Sequence, residues 1–138
     1  MAYLSNTSLN KCSNNFSTKL YTGTGSSLGV TGVGFEPSLI WIKNRTSGQD
    51  HGVWDATRGV NKRIRPNSSG AETTASSSVT AFDSDGFTVG THSDVNDNGD
   101  NYASWNWKGN GAGSSNSDGS ITSTVSANAA AGFSIVKF

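Results

Sequence analysis

The chain has 138 residues, 33% apolar and 14% charged, with ten basic and ten acidic side chains; that length suffices for one domain with a real core. Its low charge and its Trp and Phe content argue against ordinary disorder, which is charge-rich and poor in aromatics. A single cysteine, Cys12, excludes an internal disulfide framework and a cysteine-rich zinc site, and no apolar run approaches membrane-spanning length.

The remainder is mostly Gly, Ser, Thr and Asn, a mixture common in loop-rich, all-β proteins with many tight turns. Charge is uneven along the chain: residues 1–67 carry eight basic and three acidic side chains, residues 68–138 two and seven. The reading preferred here is that the two halves fold onto each other and neutralise locally; head-to-tail docking of modules is the alternative. The opening MAYLSNTSLN has no charged start followed by an apolar core, so a soluble product without a signal peptide is expected.

Residues 1–15 read as a polar arm with little beyond Tyr3 and Leu4 to bury. Residues 16–21 alternate, with Phe16, Thr18 and Leu20 on one face, and Thr22-Gly23-Thr24-Gly25 turns the chain. Residues 28–33 form a second, glycine-diluted strand. The run PSLIWIKNR, 37–45, places Leu39, Trp41 and Lys43 on one face and Ile40, Ile42 and Asn44 on the other. Bulky groups on both faces predict a central strand, with Ile40, Trp41 and Ile42 in the core.

Residues 51–54 read as a short extended piece, 56–59 as a turn, and 62–65 as a strand alternating around Ile64. A polar loop over 67–78 leads to two short strands, 79–82 and 87–90, joined by the hairpin signal Asp83-Ser84-Asp85-Gly86. A second polar loop, 91–101, precedes YASWNWK at 102–108, whose Ala103, Trp105 and Trp107 share one face. This strand is expected to pair with the central one and to bury Trp105 and Trp107.

Residues 109–119 have linker composition, and 121–126 with 133–138 predict a last hairpin closed across 128–132. No segment shows a helical period. The expectation is an all-β fold, a β-sandwich over 16–108 with a polar arm at 1–15, a linker at 109–119 and a terminal hairpin at 120–138. Phe133-Ser134 through Phe138 echoes Phe16-Ser17 through Tyr21, so 120–138 also reads as the start of a further module.

Asp94-Val95-Asn96-Asp97-Asn98-Gly99 fits the opening of a calcium loop, but Trp105 stands where the closing Glu belongs. A turn satisfying its own backbone is the preferred account, and no metal or cofactor is expected. His51 and His92 lie in polar loops without a strained nucleophile turn nearby. A glycosidase needs paired carboxylates; Glu36 and Glu72 are the only glutamates, with Asp55, Asp83 and Asp85 as further candidates. Lys62-Arg63-Ile64-Arg65 is the only basic cluster, too little for a nucleic-acid face, and alternation leaves Arg63 and Arg65 to pair with Asp50 or Asp55. Tyr21, Trp54 and Tyr102, if exposed, could stack on sugar rings, but a place in the core is the preferred reading; Trp54 and Tyr102 stand as the candidate glycan or partner contacts beside it.

Five pieces together carry a resemblance: LYTGTGS (20–26), GFEPSLIWIKNR (34–45), DHGVWDATRGVNKRIRPN (50–67), FDSDGFTVG (82–90) and NDNGDNYASWNWKG (96–109). The chain from Phe16 to Phe138 resembles a domain repeated in tail fibres and other virion proteins of tailed bacteriophages, especially marine ones. The resemblance implies a lectin-type, concanavalin-like sandwich or jelly roll, located on the virion, with no catalytic residues to carry over. It implies a structural or adhesive role in a tail fibre, with a capsid decoration or head-fibre protein as alternative and a carbohydrate-active enzyme as a third reading. The partners it implies are other virion proteins, further copies of the chain (a trimer among the options) and a host surface glycan, with no nucleic acid and no membrane insertion.

Overall fold

A computed structural model describes residues 12–138. After one 3-10 turn at Cys12–Asn14 come β1 (Phe16–Thr22), β2 (Leu28–Thr31), β3 (Leu39–Asn44), β4 (Gly52–Asp55), β5 (Lys62–Arg63), β6 (Thr73–Thr74), β7 (Val79–Asp83) and β8 (Gly86–Val89). A single helical turn, α1 (Ser93–Asn96), separates these from β9 (Asn101–Trp107), β10 (Ser114–Asn116), β11 (Ser123–Asn128) and β12 (Phe133–Lys137). The protein is all-β, with every strand pairing among the described residues antiparallel.

Four strands in the order β1-β9-β3-β4 make the largest sheet, so the isoleucine-rich β3 is central, with Trp41 opposite Trp105 and Leu39 opposite Trp107. A second sheet runs β2-β8-β7. One core joins the two: Ile40, Ile42, Trp54 and Tyr102 from the first meet Val30, Val79, Phe87 and Val89 from the second, with Val95 of α1. Burial alternates strictly along β3, where Ile40, Ile42 and Asn44 are buried and Leu39, Trp41 and Lys43 half-buried. That is the two-residue period of a pleated strand with one face on the core.

The β7–β8 hairpin turns across Ser84 and Asp85, with Asp83 opposite Gly86. Asp85 accepts from the Gly32 and Gly34 amides at 3.0 and 2.7 Å, which ties the turn to the end of β2 and holds its carboxyl below the ordinary carboxylate range. Gly86 has φ 151°, and a Cβ there would collide with the Val30 carbonyl oxygen.

Several expectations need correction. The 109–119 stretch is no free linker: Ser114–Asn116 pairs with β11, completing a third sheet, β10-β11-β12. This sheet is fastened to the large one. Asn110 N donates to Ser126 Oγ (2.7 Å), Gly111 N to Ser38 Oγ (3.2 Å), and Asn128 Nδ2 to Asn15 Oδ1 (2.9 Å). The loop 67–78 contains β6, paired with β5, and the loop 91–101 contains α1, one turn being too short to show a helical period. Of the polar arm, residues 1–11 lie outside the described residues.

Candidate functional site

On the large sheet the face turned away from the core carries the remaining aromatics. β9 places Tyr102, Ser104 and Asn106 inward, fully buried, which turns Trp105 and Trp107 outward and leaves them half-buried. β3 does the same with Trp41. The indoles of Trp41 and Trp105, directly opposite in the register, meet edge to face with ring centres 6.1 Å apart at 64°.

His51, just before β4, completes the cluster. Trp41 Nε1 donates to His51 Nδ1 at 3.0 Å, with the rings 5.8 Å apart. A neutral imidazole that accepts at Nδ1 carries its proton on Nε2. Partial burial lowers the His51 pKa from its ordinary value, the charge of Lys43 adds to that, and Asp50 opposes it. The loop holding His51 is pinned by its neighbours: Asn67 Oδ1 accepts from the His51 amide (3.0 Å), Asn67 Nδ2 donates to Asp50 (2.9 Å), and Lys43 Nζ donates to the Gln49 carbonyl (2.8 Å).

Trp107 is fixed by stacking. Phe16 of β1 lies 5.0 Å from it and Phe133 of β12 6.3 Å, nearly parallel at 22°. Trp41, His51, Trp105 and Trp107 line a depression of about 190 Å³. Trp107 also lines a larger groove, about 460 Å³, together with Asn15, Phe16 and residues 130–133.

The aromatics divide between the two faces. Trp54 and Tyr102 are both 0% exposed, which agrees with the preferred core reading and removes them as glycan contacts, since they present no surface to a partner. Trp54 stands opposite Ile40 on the inner face, and any side chain at Gly52 would strike its ring. The Tyr102 hydroxyl accepts from the Asp97 amide (2.7 Å) and Asn44 Nδ2 (3.2 Å) and donates to the Ser93 carbonyl (2.7 Å), and burial raises its pKa. Tyr21 stacks on Tyr102 at 5.1 Å, and burial, reinforced by Tyr102, raises its pKa too. Conversely, Trp41, Trp105 and Trp107, expected in the core with Ile40 and Ile42, lie on the outer face; of the five only the two isoleucines are fully buried. Periodicity showed that the two faces differ, but small polar residues at 104 and 106 made the true inner face of β9 look like the outer one.

The other candidates have structural partners. Asp94 pairs with Arg63, and Asn96 ties two segments to α1, accepting from the Thr24 amide (2.8 Å) while donating to the Gly90 (2.6 Å) and Ser26 carbonyls. His92 caps α1 by accepting from the Asp94 amide at 3.2 Å. Asp55 accepts from Thr57 and Arg58; burial alone would raise its pKa, but these hydrogen bonds and the Arg58 charge bring it below the ordinary value. Glu72 pairs with Arg58 at 3.2 Å, Asp83 accepts from Thr88 Oγ1 at 2.7 Å, and Glu36 is exposed. Arg65 meets Asp50 at 3.4 Å, as alternation suggested, whereas Arg63 pairs with Asp94 rather than Asp50 or Asp55. Among the described residues no group of three His, Cys, Asp or Glu side chains is placed to hold a metal.

No curated protein and no solved structure matches the chain. One family model does, described as Domain of unknown function (DUF7483), and it runs over residues 11–138, through the third sheet as well as the first two. With its match covering nearly the whole chain, the protein belongs to the DUF7483 family.

Proposed function

We propose that this domain is a non-enzymatic module of a bacteriophage virion, part of a tail fibre used in host attachment, built as a concanavalin-like β-sandwich of the jelly-roll kind. The observation that carries this reading is the open tryptophan face. Three indoles and an imidazole, held by stacking and a 3.0 Å hydrogen bond, stay half-exposed on a rigid sheet whose opposite face is core. Side chains fixed before contact lose little entropy on binding, which suits adhesion. The sequence resemblance to virion domains supplies the setting. Of the carboxylates that hydrolysis could use, Asp55 and Glu72 pair with Arg58, and Asp83 and Asp85 hold structural hydrogen bonds, which leaves Glu36 without a partner carboxylate and ranks a carbohydrate-active enzyme below a binding module.

A capsid decoration or head-fibre role is the second reading. It is favoured by β12, an edge strand whose Val136 is 51% exposed and whose neighbour Phe138 is 90% exposed, a surface suited to a neighbouring virion subunit or a second copy of the chain. Immunogold electron microscopy of a phage encoding this chain separates the two. Gold at the tail supports the fibre, gold over the head moves the assignment to decoration, and particles without label overturn both.

A further inference from the structure

We infer that the depression lined by Trp41, His51, Trp105 and Trp107 binds a single neutral sugar ring of a glycan, stacked on the indoles and hydrogen-bonded to His51 Nε2–H. This rests on the attachment reading above and gives that reading a site.

Shape comes first. The Trp41 and Trp105 planes stand at 64° and form a corner, with Trp107 as a further wall. At about 190 Å³ the space is smaller than the ~300 Å³ at which pockets for drug-sized ligands begin, so it holds about one ring. A stable second copy needs about 1,200 Å² or more of buried surface, far beyond such a depression, and the strand neighbours on this face are mixed, exposed Thr18 beside Trp105 and Lys43 beside Trp41 as well as half-buried Val53 opposite Trp41.

Chemistry selects the ligand. A pyranose offers a face of polarised C–H groups to an electron-rich ring and a rim of hydroxyls to donors and acceptors, and the site has both halves. Because Trp41 donates to Nδ1, His51 turns its Nε2–H donor away from that bond, and the Thr18 hydroxyl sits beside Trp105. No Lys, Arg, Asp or Glu side chain lines the depression, and the two charges that act on His51, Lys43 and Asp50, are of opposite sign and held elsewhere, Lys43 by the Gln49 carbonyl at 2.8 Å and Asp50 by Asn67 at 2.9 Å and by Arg65. A site whose neighbouring charges oppose each other matches an uncharged sugar better than a sialic or uronic acid. Preorganisation completes the argument: Trp107 is locked between Phe16 and Phe133, and Trp41 by its indole hydrogen bond.

The test is tryptophan-fluorescence titration of the whole chain with the methyl glycosides of glucose, galactose, mannose and N-acetylglucosamine, with glucuronic acid for comparison, followed by a glycan array. At least one neutral glycoside should saturate the signal, and the uronic acid should bind more weakly. Trp105→Ala should weaken binding about tenfold or more. His51→Asn, whose Oδ1 can still accept from Trp41 at the Nδ1 position but which has no donor at the Nε2 position, should weaken it several-fold while leaving the melting temperature within a few degrees, and so covers a Trp105→Ala chain that fails to fold. Leu20→Ser, on the same face outside the depression, should bind as the parent does. Absence of saturation by every neutral sugar, or equal binding by parent and His51→Asn, overturns the site. Self-association abolished by His51→Asn assigns the face to a second copy and overturns it equally. Virion labelling is read separately, so a sugar-binding chain missing from the particle would sink only the attachment reading.

Discussion

The Arg63 guanidinium on β5 is paired with the Asp94 carboxylate in the single turn of α1, both side chains buried and 31 residues apart in sequence. The contact joins the basic first part of the chain to its acidic second part, and fixes α1, which carries Val95 into the core and Asn96 onto three backbone groups. Two buried charges gain little over an apolar pair of similar volume, whereas one left alone is costly.

Removal of one partner should therefore be severe. Arg63→Met, leaving Asp94 buried without its counter-charge, is expected to cost about 3–5 kcal/mol in urea unfolding. Arg63→Met with Asp94→Leu should recover most of that loss. A single mutant within about 0.5 kcal/mol of the parent would show the pair to be open to solvent.

The division of the aromatics between the two faces gives a second test. Trp54→Ala, emptying a fully buried site against Ile40, should cost about 3–5 kcal/mol. Trp105→Ala, on the half-exposed face, should cost roughly half of that or less. The reverse order of the two losses in denaturant melts would mean that the sheet packs through its other face.

Acid stability should depend on Asp55. Its folded pKa lies below the ordinary 3.8, so the unfolded chain takes up the proton first. The contribution is complete above about 3.8 and is lost as pH falls through the folded value. Asp55→Asn should be less stable than the parent at neutral pH and should flatten the acid limb of stability measured from about pH 5 to pH 2. Identical slopes for the two proteins would remove Asp55 from the acid transition.

Millimolar calcium should leave the melting temperature unchanged. Two of the three side chains that would open a calcium loop are engaged, Asp94 by Arg63 and Asn96 by backbone groups of residues 24, 26 and 90. A rise of several degrees, reversed by chelator, would mean that the ion displaces Arg63.

Much of the β-structure was legible because its causes are local. Alternation in LIWIKN marked β3, YASWNWK marked its neighbour β9, and Ser84-Asp85 before Gly86 marked a tight hairpin. β6 and β10 were not legible, since Thr73–Thr74 and Ser114–Asn116 have no apolar pattern and pair through backbone hydrogen bonds with strands distant or unremarkable in sequence. The role of Asn96 was hidden too: the amide that resembles a calcium ligand is a clamp only because the chain brings Thr24 beside Gly90.

The sequence by itself determined where the chain extends and turns, because side-chain period and the backbone freedom of glycine act over a few residues. It also determined that β3 and β9 carry large groups on two sides. Only the tertiary structure decided which side is core. Burial depends on which sheet packs across which face, and β2, β7 and β8 cover Ile40, Ile42, Trp54 and Tyr102 while Trp41, Trp105 and Trp107 face outward. Two aromatic faces on one strand look alike in one dimension, and the sheet that covers one of them makes the other available as a binding surface.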